Sequence, residues 1–226
     1  MITIKGNKTL VSKEYPISSF LNLHLSVNGR VELYQGDEEK AEITTDENLL
    51  PFIGVVNSGK TLFVTSEAGY RRPEFTQLTA RIYLRQISKL NIRCSGGEVI
   101  TPQILSLNQP LEIKIQSIGN TDLKLDVPLL KMLIQNEGNV MLSGKCGEAE
   151  IKSQSEGNLF AREFQADHLK IKNMSEGNVE VFAAKTISIS HYGEGFIHYY
   201  GDGQLTNVNQ RGEGEIKHKK HEPTYQ

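Results

Sequence analysis

The chain alternates apolar and polar positions in two short runs, one on each side of a recurring glycine. Aligned on Gly119, Gly138, Gly157, Gly177, Gly195 and Gly214, the positions two residues later are Thr121, Val140, Leu159, Val179, Ile197 and Ile216. Four later stand Leu123, Leu142, Ala161, Val181, Tyr199 and His218. Six before stand Ile113, Met132, Ile151, Ile171, Ile189 and Val208; eight before, Leu111, Leu130, Ala149, Leu169, Ile187 and Thr206. Period-two alternation predicts strands. A repeat of about nineteen residues is too short for two strands with a helix between them. It marks a solenoid, in which one turn cannot bury its apolar side alone. The predicted fold is therefore all-β: a β-helix, or β-solenoid, of parallel strands, with like residues stacked roughly 4.8 Å apart.

The glycine sits where the chain must turn between the two strands. The expectation is that it supplies a left-handed or strained conformation there. Asn120, Asn139, Asn158 and Asn178 follow it and should form a column whose side-chain amides bond from rung to rung. Phe196 and Glu215 end that column, so the last two rungs should turn differently.

Looser copies of the phrase occur earlier. Leu21, Leu23, Leu25 and Val27 alternate up to Gly29, and Leu90 and Ile92 lead to Gly96-Gly97, where one inserted residue suggests a bulge. Residues 34–85 break the period. They contain strand-like runs at 41–44, 53–56, 61–65 and 78–84, with turn signals at Asn57-Ser58-Gly59 and Gly69–Pro73. The expected organisation is one solenoid domain over 1–226. Residues 1–85 supply an N-terminal rung plus a cap or insertion, 86–218 the regular solenoid, and 219–226 a tail. A cap is needed because an open terminal rung exposes strand backbone.

Composition changes this picture little. A 38% hydrophobic fraction suits a thin coil, and a net charge of −2 with mixed signs gives no case for nucleic acid. His218-Lys219-Lys220-His221 reads as a solvated tail. No segment approaches the ~20 apolar residues that span a bilayer. The N-terminus shows no signal-peptide core, although a leader could have been removed. Cys94 and Cys146 have no metal or redox spacing and read as core residues; a disulfide between them stays open.

Three features invite a functional reading. Glu137, Glu156, Glu176, Glu194 and Glu213 precede the glycines and form either a cation ladder or a solvated corner, the latter favoured because calcium repeats use aspartates in shorter units. Met141, Phe160, Phe182, His198 and Tyr200 lie on outward positions of the second strand. An exposed column of this kind stacks on sugar rings or pairs with another subunit, unless the following turn covers it. Phe160, Phe182, His198 and Tyr200 are the candidate ligand- or partner-binding residues. No catalytic or metal-ligating residue and no cofactor is assigned: the six histidines lack ligand spacing, and no nucleophile elbow or phosphate loop occurs. The crowd of rings at His191-Tyr192-Gly193 and Phe196–Tyr200 is expected to close the C-terminal end.

The N-terminal third adds a family resemblance. Ile4-Lys5-Gly6-Asn7, Val11-Ser12 and Ile17–Phe20 are followed by Leu21–Val27, Gly29, Val31-Glu32-Leu33 and Gln35-Gly36-Asp37. Thr45-Asp46-Glu47-Asn48-Leu49-Leu50 and Gly59-Lys60-Thr61-Leu62 come next. With the later Gly-Asn-Val repeats, this series resembles the putative autotransporter-adhesin head domain, or GIN domain, of Bacteroides-like bacteria. The resemblance implies a right-handed parallel β-helix exported to the cell envelope or beyond, often behind a lipoprotein or secretory leader, and adhesion as the role. It carries over no catalytic motif. The expected function is a non-enzymatic surface protein binding glycan or protein through a coil face, with a homo-oligomer possible. The alternatives are a polysaccharide lyase or hydrolase on the same scaffold, or a self-assembling spacer.

Overall fold

Alternating sequence becomes paired strand over nearly the whole chain. The structure, a computed structural model, describes residues 2–66 and 71–220. The N-terminal part contains β1 (Ile2–Lys5), β2 (Leu10–Pro16), β3 (Asn22–Ser26), β4 (Gly29–Gln35) and β5 (Lys40–Asp46). A 3₁₀ turn at Glu47–Phe52 leads to β6 (Gly54–Ser58), β7 (Thr61–Thr65), β8 (Arg71–Glu74) and β9 (Leu78–Leu84). Then follow β10 (Lys89–Ile92), β11 (Gly97–Ile100), β12 (Leu105–Ser106) and β13 (Leu111–Ile115). The regular coil comprises β14 (Asn120–Ile134), β15 (Val140–Ser153), β16 (Leu159–Asn173) and β17 (Val179–His191), and ends with β18 (Ile197–Tyr200), β19 (Gln204–Gln210) and β20 (Ile216–His218).

Every pairing from β10 onward is parallel, as in a β-solenoid. The pairs Thr121–Val140, Val140–Leu159, Leu159–Val179, Val179–Ile197 and Ile197–Ile216 set rungs of 18 to 20 residues. Inward columns fill one core from Phe20 to Ile197. The strands are longer than the expected pair of short runs. β14 is continuous for 15 residues because inward Leu125 and Val127 carry the alternation round the next bend. No long loop therefore separates a second strand from the next first strand.

The region that breaks the period supplies a rung of its own, out of chain order. β3 pairs with β7 on one side and β10 on the other, and β4 lies between β9 and β11. Strands β7 and β9 thus stack beneath the first rung. Antiparallel β6 then covers β7, and antiparallel β5 and β2 cover β9. The Asn57-Ser58-Gly59 turn closes the β6–β7 hairpin, with Gly59 at φ 56°. Of the second turn signal, Gly69 and Tyr70 lie outside the described residues, whereas Pro73 sits in β8 and not in a turn. The extra residue at Gly96-Gly97 lies in the corner loop, not in a ladder bulge, with Gly97 at φ 77°.

The repeat glycines are required for a reason other than the expected one. Gly119, Gly138, Gly157, Gly177, Gly195 and Gly214 are not in the left-handed region. A Cβ at any of them would fall on the carbonyl oxygen of the stacked glycine in the preceding rung. Close backbone approach, not φ, excludes side chains. The asparagine column exists, but its main bonds differ from those expected. The Oδ1 atoms of Asn120, Asn139, Asn158 and Asn178 accept from the backbone N–H of the next rung, at 2.9, 3.0, 2.9 and 3.2 Å. One amide–amide bond, Asn158 Nδ2 to Asn139 Oδ1 at 3.0 Å, joins them. The last acceptance is by Phe196 N, where the column ends.

Asp46 fastens the N-terminal lead-in to the cap. Its buried carboxylate accepts from Lys8 N at 2.8 Å and Thr76 N at 2.7 Å, holding Lys8 at φ 64°. Burial pushes this carboxyl up, but the N–H bonds from Thr76 and Lys8 outweigh it and hold the pKa below the usual aspartate value. Asp46→Asn should cost about 2 kcal/mol, since an amide turns a donor toward those N–H groups. A depressed pKa means the contribution is complete at neutral pH and drains as pH falls below about 4. Urea midpoints from pH 7 to 3 should converge for the two proteins; a constant gap would exclude the carboxylate as the cause.

Candidate functional site

The outer face of the sheet β2–β5–β9–β4–β11–β14–β15–β16–β17–β18–β20 divides into two chemistries. Its N-terminal half is a self-paired ionic patch. Glu32, 8% exposed, takes Arg30 Nε at 2.6 Å, Arg81 Nε at 3.0 Å and Tyr34 Oη at 3.0 Å, while Arg81 also reaches Glu42 at 3.0 Å. These charges satisfy one another. Tyr34 and Tyr83 stack beside them at 5.2 Å.

The C-terminal half carries the predicted ring-bearing residues, in two columns and not one. Register places Met141 beside Phe160, Phe160 beside Glu180, and Glu180 beside His198. Phe182 pairs with Tyr200 in the neighbouring column. The sequence reading missed Glu180, which interrupts the rings, and Arg162, which joins them. Glu180 stands three residues after Gly177, as Phe160 does after Gly157, so spacing alone could have placed it. Arg162 is set apart by a bulge: Ala161 pairs with Val181 but Gln165 with Phe182, leaving Arg162, Glu163 and Phe164 without partners in β17. Phe164 turns into the core at 2% exposure. Arg162 stays outside, bonded to Glu163 at 3.1 Å, with its guanidinium 5.7 Å from the Tyr200 ring centroid.

Phe160 and Met141 are 39% and 41% exposed, and Phe182, His198 and Tyr200 are half-buried. Phe196 and His198 stack at 3.9 Å and 20°. Burial, then Lys219, holds the His198 pKa below the ordinary histidine value. Burial, then Glu180, raises that of the Tyr200 phenol. The patch offers rings and polar hydrogens beside charged groups: Arg162 with Glu163, Glu180, and Lys217, which pairs with His198.

The other candidates fall elsewhere. His191 does not help to close the C-terminal end: it is fully buried against Asn173, and β19 and β20 form a further rung beyond it. Inward residues of that last rung are open, with Leu205 40% and Val208 46% exposed. Leu205, not Thr206, continues the Ile187 column because the register slips there. The five corner glutamates are exposed, and among the described residues no group of three or more His, Cys, Asp or Glu is placed to hold a metal ion. Cys94 and Cys146 are free and buried, and burial pushes the Cys146 thiol up to about 11. The Gln35 segment is structural: its side chain accepts from Ser106 N at 2.7 Å and donates to Ser106 O at 2.8 Å. His221 lies outside the described residues.

Beside the ring-bearing face, across the asparagine column, runs a second feature the sequence reading missed. A corner groove of about 570 Å³ is lined by Arg93, Gln116, Gln135, Gln154, Met174 and the glutamates at 137, 156 and 176. Three glutamines at one fixed place, three residues before successive glycines, were the available signal.

Comparison with known proteins agrees with this architecture. A family model described as putative auto-transporter adhesin, head GIN domain, matches residues 19–203. A putative adhesin from Bacteroides fragilis superposes with a TM-score of 0.89 at 22% identity, over 96% of this chain and 100% of that one. A putative lipid binding protein from Parabacteroides distasonis gives 0.76 at 22% identity, over 96% and 99%. A putative adhesin from the same species gives 0.67 at 17% identity, over 96% and 100%. No curated protein matches the sequence.

Proposed function

Since this chain belongs to the putative auto-transporter adhesin, head GIN domain family, we propose that it is a non-enzymatic protein of the cell envelope or surface that binds glycan through the outer face of its C-terminal rungs. The observation that carries the reading is the set Phe160, Phe182, His198 and Tyr200 gathered on one sheet face, with Arg162 and Glu180 between and beside them. Flat apolar surfaces next to fixed donors and acceptors suit sugar rings, which have an apolar face and a polar edge. At the other end of the face the charged groups and the Tyr34 hydroxyl are satisfied by one another.

A glycan array should give binding that Phe160→Ser and Tyr200→Ser each weaken by about tenfold or more, the scale of one lost stacking contact. Full retention of binding by both variants would remove this face from the reading. A second reading is self-association as a spacer. It is favoured by the terminal strands β19 and β20, which pair on one edge only among the described residues, and by exposed Leu205 and Val208. Mass measured across concentration in the same preparations separates the two: a monomer throughout eliminates the spacer.

A further inference from the structure

We propose that the corner groove is a binding site for a linear, uncharged polysaccharide lying along the coil axis, with one sugar ring per rung. The inference builds on the glycan-binding reading and adds a site around the corner from the ring-bearing face.

One column of the groove runs through five successive rungs: Arg93, Gln116, Gln135, Gln154 and Met174. Their side chains form a directional chain. Arg93 Nε donates to Gln116 Oε1 at 3.1 Å, Gln116 Nε2 to Gln135 Oε1 at 3.2 Å, and Gln135 Nε2 to Gln154 Oε1 at 2.9 Å. A primary amide has two N–H donors and two acceptor lone pairs. The ladder spends one of each at Gln116 and Gln135. Each such rung therefore still offers one donor and one acceptor to the groove. At Gln154 the chain runs out, because the next residue in the column is Met174, which has no oxygen to receive its N–H groups.

This donor–acceptor pair recurs at the rung spacing of roughly 4.8 Å. An extended peptide advances about 3.3 Å per residue and falls out of step within two rungs. A linear polysaccharide advances by close to one rung per ring, and its hydroxyls both donate and accept. Exposed Ile118, in the Gln116 rung, and Met174, in the last, at 54% and 39%, supply apolar contact for ring faces. Arg93 is the one basic residue lining the groove, against Glu137, Glu156 and Glu176. That balance repels a polyanionic chain, and the carboxylates accept from hydroxyls of a neutral one.

The test is calorimetric titration of the whole chain with β-1,4-glucan, β-1,3-glucan and β-1,4-N-acetylglucosamine oligomers of increasing length, with oligogalacturonate as the charged control. Affinity for at least one neutral series should rise with length up to about five rings. Gln135→Leu and Gln154→Leu should each weaken the longest oligomer by about tenfold. Gln154 is exposed at the ladder's end, so an unchanged melting temperature will show that this variant stays folded. No binding by any neutral series, a preference for oligogalacturonate, or full affinity in Gln154→Leu would each overturn the proposal. Loss of binding in Phe160→Ser with full affinity in Gln154→Leu would remove the groove and leave the ring-bearing face standing. The converse would leave the groove and remove the face.

Discussion

Gly157→Ala should destabilise the protein by about 4 kcal/mol, in the range reserved for backbone conflict and core disruption. Elsewhere a glycine-to-alanine change at ordinary φ stabilises by about 0.4–1 kcal/mol, by restricting the unfolded chain. At Gly157 the new methyl would fall on the carbonyl oxygen of Gly138, and no flexible side chain can yield there. Relief requires the two rungs to part, which breaks the Val140–Leu159 pairing and the Asn158 to Asn139 bonds beside it. Gly36→Ala is the control, because a Cβ at Gly36 meets nothing within 4 Å. Denaturant melts should show Gly36→Ala at or above wild-type stability and Gly157→Ala far below it. Equal stabilities would mean that the corner relaxes freely, and that the glycine column has another origin.

That glycine column shows what the sequence conveyed and what it hid. Its spacing, with the flanking alternation of Val140, Leu142, Leu159 and Ala161, specified parallel rungs because period-two burial and a fixed repeat admit few other folds. The cause of the glycines was hidden. Corner φ and inter-rung clearance both select glycine, and one sequence cannot separate them. The out-of-order rung was also hidden: β7 and β9 look like any strands, and nothing local says that they stack beneath β3 and β4. For the ring-bearing face, outward alternation placed Phe160, Phe182, His198 and Tyr200 on the correct strands. Their partition into two columns was legible as well, since Phe160 and His198 stand three residues after their glycines and Phe182 and Tyr200 five. What periodicity averages away is the bulge after Ala161, which takes Arg162 out of register with Phe182. The glutamine ladder was legible in spacing but lacked an apolar or charged signature to draw notice.

Phe164→Ala should cost about 3–5 kcal/mol and also disturb the ring-bearing face. The ring is one of the largest fully buried side chains, inserted by the three residues of β16 that have no partner in β17. Deleting it leaves a void walled by paired strands on both sides, which collapse poorly, so the cost belongs with large aromatic truncations. At this chain length that corresponds to a fall in melting temperature of roughly 10 °C. The consequence for function follows from chain geometry. Arg162 precedes Phe164 by two residues, and the anchored ring fixes the bulge that holds the guanidinium over Tyr200. In Phe164→Ala glycan affinity should fall even at temperatures where the protein remains folded, whereas Phe164→Leu, which keeps an apolar anchor, should recover most of both losses. A Phe164→Ala protein within about 1 kcal/mol of wild type would show that the bulge is held by its strand neighbours alone. A destabilised protein with undiminished binding would separate Arg162 from recognition, leaving the stacked rings to act without it.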